Sequence, residues 1–202
     1  MKKYMILGLL LGACYLTFSY HAHLIEERAT QLVAAAYYGN LIEVKNAVEK
    51  GVPLDYTLTF DDTEREYTLQ TFNTLQAAAS SGNEDVILFL LDQGMDINQP
   101  TGQGWTPLFI AARDGQAEAA KLLIFKGANL NAQTDLGSTA LTMVVTQRYP
   151  SEKARLNLLE YMLKRGASPN LEDVYHHTPL YYAHSLNNER VAQLLKTYGA
   201  QL

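Results

Sequence analysis

A single cysteine, Cys14, occurs among the 202 residues, so the chain can form no internal disulfide and no multi-cysteine metal site. Positive charge is scarce as well. Lys+Arg total 16 against 21 Asp+Glu, giving a formal charge of -5, and no basic block stands out beyond the first residues. Nucleic acid is therefore not expected as a partner. Catalytic signatures are missing: there is no G-x-S-x-G elbow, no H-E-x-x-H and no phosphate loop. Gly102-Gln103-Gly104 runs into Trp-Thr-Pro, where such a loop needs another glycine and a helix start. Adjacent Asp61 and Asp62 would point to opposite faces of a strand, which spoils them as a working pair of carboxylates. His176 and His177 are too close in sequence to share one metal, and the acidic runs lack the calcium-loop pattern. The expectation is no catalytic residue, no metal and no cofactor. The 48% of hydrophobic residues and a pI near 5.5 suit one globular domain with a sizeable core.

The first residues, MKKYMILGLLLGACYLTFSY, combine Lys2 and Lys3 with an apolar run, the two parts of an export signal. Leu11, Gly12, Ala13 and Cys14 resemble a bacterial lipobox, in which small residues precede the cysteine that is lipidated. Residues 1–22 are read as this signal or anchor and 23–202 as the folded domain. The run continues past Cys14 through Leu16 and Phe18, so an uncleaved membrane anchor competes with lipidation, although the stretch is short for a span. Cleavage after Ala22, giving a soluble exported protein, is the third reading. The leading readings put the folded part on the periplasmic side of a bacterial envelope.

The rest of the chain keeps time. Gly82 and Gly115, Gly94 and Gly127, and Gly166 and Gly199 are each separated by 33 residues, a mark of stacked repeats. The clearest copy, TPLFIAARDGQAEAAKLLIFKGANLNAQ from Thr106, resembles the ankyrin repeat. It has a T-P-L start, the small pair Ala111-Ala112, Gly115, the pair Leu122-Leu123, and Gly127-Ala128. Proline suits the first helical turn, the alanines let neighbouring helices approach, and the glycines supply a positive φ. Ile87/Leu90/Leu91, Ala120/Leu123/Ile124 and Leu159/Met162/Leu163 fall at helical spacing and predict one continuous core. The resemblance implies an all-α ankyrin solenoid of about five repeats, near 24–55, 56–100, 101–133, 134–172 and 173–202. Lys196, where other copies are apolar, marks the last as a cap.

Two interruptions break the period. Gly51 and Gly94 are ten residues too far apart, and the excess, around DYTLTFDDTEREYTLQTF from Asp55, has alternating β-favouring residues either side of an acidic cluster. It predicts a lengthened β-hairpin finger between repeats one and two. The second break adds six residues around RYPSEK, 148–153, where Pro150 should end one helix and Ser151 cap the next. It is expected to be a tolerated surface loop.

The resemblance implies binding of another protein through the finger tips and the exposed face of the first helices, by a chain that is no enzyme and is monomeric when free. Carried over singly, the expected contact residues are Tyr37, Tyr38, Arg113 and Asp114 on the helices. On the fingers they are Phe60, Asp61, Asp62, Glu64, Gln103, Trp105, Leu136, Tyr175 and His177. Trp105 is expected to project from its finger. The chain is also similar to exported bacterial ankyrin proteins that act as immunity partners of secreted type VI lipase effectors. That similarity implies a phospholipase or other toxin as partner. The alternative is an envelope scaffold or stress-protection factor that binds a resident protein.

Overall fold

The first helices of repeats two to five begin in the same way. Thr106, Thr139 and Thr178 each turn a hydroxyl back to accept the backbone N–H three residues on, at Phe109, Thr142 and Tyr181. Asn73 does so with Gln76, whose side chain answers by accepting the Asn73 N–H, a reciprocal cap. Pro107 and Pro179 follow two of these caps, where a missing N–H costs nothing. The computed structural model describes residues 23–60 and 70–201.

Helix α1 covers residues 23–37. Then come α2 (Leu41–Glu49), β1 (Leu58–Phe60), β2 (Gln70–Phe72), α3 (Thr74–Ser81), α4 (Glu84–Asp92), α5 (Pro107–Arg113) and α6 (Ala117–Phe125). Helices α7 (Ala140–Thr146), α8 (Glu152–Lys164), α9 (Pro179–Ser185) and α10 (Glu189–Thr197) complete the order. First helices pack on first helices, α3 on α5 on α7 on α9, while α2, α4, α6 and α8 stack behind them. Alanines make the approach possible. Ala36, Ala78, Ala79, Ala111 and Ala112 are fully buried, and Ile87, Leu90, Leu123, Leu159 and Met162 join them in one core along the stack. This is the all-α repeat solenoid that the period implies. Lys196 is exposed on α10, as expected of a terminal unit.

The lengthened finger is a hairpin. Strands β1 and β2 pair antiparallel with Leu58 opposite Phe72, Thr59 opposite Thr71 and Phe60 opposite Gln70. Thr101 anchors β2 to the next repeat by donating its hydroxyl to the Thr71 carbonyl.

Side chains at the turns tie each repeat to the one before. Asn83 donates to the Ala36 and Tyr37 carbonyls, and Gln116 to the Ser80 carbonyl. These reaches cross glycines with positive φ: Gly82 has φ +79, a backbone that a residue with a Cβ adopts only with strain. In repeat four the same task falls to the insertion. Tyr149 donates its hydroxyl to the Ala112 carbonyl at 2.8 Å, and burial pushes that hydroxyl's pKa above its ordinary range. The extra residues also lengthen α8 to 13 residues, with Ser151 as its cap, where the other second helices have 9. The insertion expected to be a tolerated loop is thus a packed tie, because it carries a hydroxyl able to satisfy a carbonyl at the end of α5.

Candidate protein-binding surface

The concave face holds a groove of about 1050 Å³. Its floor follows from the composition of α1 and α3, where Ala34, Ala77 and Ser80 leave a hollow between bulkier neighbours. Tyr37 and Tyr38 form one wall at the end of α1. They meet edge to face at 5.4 Å and are 48% and 80% exposed, so both rings remain available to a partner. The hairpin base supplies Leu58 and Phe72, and α7 with its following loop supplies Thr146, Gln147 and Arg148.

Arg113 and Asp114 also line this groove, but neither is an open contact. The Arg113 guanidinium donates to both Asp114 carboxylate oxygens, from Nε at 2.7 Å and from a terminal nitrogen at 2.9 Å, and Ser80 donates to the same carboxylate at 2.6 Å. Their side chains are only 15% and 18% exposed. Above the pair, the guanidinium lies 4.8 Å from the Trp105 ring centre and 5.6 Å from that of Phe72. Arg113 therefore joins the hairpin to repeat three by cation–π contact.

Trp105 does not project from its finger as its place in the sequence suggests. It is half-buried and stacked on Phe109 at 5.8 Å, because it lies against the first turn of the helix that Thr106 caps. Phe72, Trp105, Ser138 and His177 all occupy that position, each directly before a cap. His177 repeats the arrangement, stacked at 3.8 Å and 6° on Tyr181.

The remaining finger residues form a separate row. Gln103 is exposed at a turn with φ 71, Leu136 is 58% exposed and Tyr175 is 66% exposed. Adjacent fingers are joined through backbone bonds from Asp135 N–H to the Gln103 carbonyl and from Val174 N–H to the Leu136 carbonyl. Beneath Tyr175 the Asp173 carboxylate accepts the backbone N–H groups of Tyr175 and His177 and the Tyr182 hydroxyl. Burial alone would raise the Asp173 pKa, but these donors hold it below the usual carboxyl value. Burial and the same carboxylate push the Tyr182 hydroxyl up to about 12.

Tyr37, Tyr38, Arg113 and Asp114 are brought to one groove, with Trp105 behind it, while Gln103, Leu136, Tyr175 and His177 lie along the finger row. Asp61, Asp62, Glu64 and Cys14 lie outside the described residues, and of Phe60 only the backbone pairing is described. Among the described residues no group of three or more His, Cys, Asp or Glu is placed to hold a metal, and no helix is long and apolar enough to cross a membrane. Phe72 and Arg148 escaped the sequence reading. Phe72 shares the Trp105 position and could have been found by that alignment; Arg148 sits in an insertion without a counterpart in the other repeats.

The family described as "Ankyrin repeats (3 copies)" matches residues 32–134, half of the chain. The chain belongs to the ankyrin-repeat family. Members of this family are in general non-catalytic and bind other proteins. The chain is similar to "Ankyrin repeat, SAM and basic leucine zipper domain-containing protein 1" of Dasypus novemcinctus, 31% identical over 128 residues, which cover 63% of this chain and 26% of the relative. The protein of that name from Homo sapiens is 33% identical over 106 residues, 52% of this chain and 22% of its own. The chain thus spans about a quarter of the length of the curated relatives it matches.

Proposed function

We propose that this protein is a non-enzymatic binder that holds a segment of another protein across its concave face. One observation carries the proposal: a groove of about 1050 Å³, walled by the exposed rings of Tyr37 and Tyr38, on a repeat fold that serves protein binding. Exposed tyrosines beside a hollow are the type of anchor that dominates interface energies.

In its finer form the proposal sets the folded part in the bacterial envelope, tethered through a lipidated Cys14, where it neutralises a secreted antibacterial effector such as a phospholipase. The cationic and apolar first residues, the lipobox-like Leu11–Cys14 and the small repeat architecture support that form. Deleting the gene should sensitise cells to the toxin encoded beside it, and reintroduction of the chain should restore resistance. Equal survival of deleted and parent cells overturns the immunity role and leaves a resident envelope protein as the partner to seek. Cys14→Ala should release the protein from membranes or halt its processing; unchanged membrane retention would favour an uncleaved anchor.

A further inference from the structure

Among the described residues that line it, the groove carries a charge opposite to that of the whole chain. Among the described lining residues Arg113 and Asp114 pair with each other, which leaves Arg148 as the remaining charged group there. Arg148 is exposed, and its guanidinium has no hydrogen bond, ion pair or ring contact among the described residues. In a molecule with formal charge -5, the described lining of the concave site thus holds one cation, Arg148, outside that pair. The apolar part of the site is equally local, since Ala34 and Ala77 leave space that Tyr37 and Phe72 border.

We infer that the groove takes a polypeptide segment in which an acidic side chain accompanies a large apolar one. The carboxylate meets the Arg148 guanidinium, whose planar fork suits it. The apolar side chain fills the hollow over Ala34 and Ala77, where burial of its surface supplies most of the affinity. A basic segment would meet Arg148 unfavourably. A nucleic acid would need many more cations than this lining offers. The inference rests on the concave-face reading above and adds the chemistry of the occupant.

The test is selection from a phage-displayed library of random peptides on the full chain, followed by affinity measurements on Arg148→Glu, Arg148→Lys and Tyr38→Ala. Circular dichroism establishes that each variant is folded. Peptides enriched on the parent should carry Asp or Glu near a Leu, Phe or Trp. They should lose about tenfold or more in affinity on Arg148→Glu, keep most of it on Arg148→Lys, and weaken on Tyr38→Ala. Selection on Arg148→Glu should shift the enriched sequences toward Lys and Arg. Peptides that weaken on Tyr38→Ala yet bind Arg148→Glu unchanged would overturn the acidic occupant and leave the concave-face reading standing. Peptides indifferent to both changes, or a library that enriches nothing, would overturn the two together.

Discussion

At the base of the last finger, one carboxylate organises a turn. The Asp173 pKa is lowered in the folded chain from its ordinary 3.8, so its contribution to stability is present above that value and lost as pH falls through the lower folded value. Asp173→Asn should remove this dependence and cost about 1–2 kcal/mol at neutral pH, measured by urea unfolding at several pH values. Two neighbouring positions give opposite expectations. Gly137 has φ +75, and a Cβ there would lie 2.8 Å from the Asp173 Cα, so Gly137→Ala should destabilise by several kcal/mol, about 3 or more. His176 adopts φ 60 with a side chain, and His176→Gly should stabilise by about 0.5 kcal/mol despite the loss of its exposed contact with Glu172. The helix-ending glycines were legible in the sequence because their φ needs no partner. The neutralisation of Arg113 by Asp114 was not, since two residues adjacent in sequence reveal no side-chain direction.

Among the elements, the ties between repeats bear the clearest consequences. Tyr149→Phe removes the hydroxyl that the Ala112 carbonyl accepts, leaving it the backbone N–H groups at the end of α5, and should cost about 1 kcal/mol, while Tyr149→Ala should cost about 3 kcal/mol by removing the ring as well. Equilibrium unfolding of both variants separates the two contributions. The hairpin was legible from its alternating residues and the ten-residue excess, whereas its attachment was not. The attachment depends on Phe72 and Thr101, contacts formed only once repeats two and three are stacked. Replacing residues 59–70 with a short turn should therefore keep unfolding cooperative, with Phe72 still seated beside Arg113. A loss of cooperativity in thermal unfolding would show that the finger supports the repeats.

Across the whole molecule, stability is shared between neighbours. Leu180, Val191 and Leu195 are buried in the final repeat, and truncation before Asp173 should cost on the order of 5 kcal/mol and expose the core around Leu141 and Leu158 to hydrophobic dyes. The architecture was legible because a period of 33 constrains every helix at once; the groove was not, because it is built from α1, α3, the hairpin base and the loop after α7, which no single repeat contains. Trp105, the only tryptophan in the chain, lies beneath Arg113 at the margin of that groove. The indole is consequently an optical reporter already in place: any occupant that shifts the cation above it should change its emission, so binding can be titrated without attaching a dye.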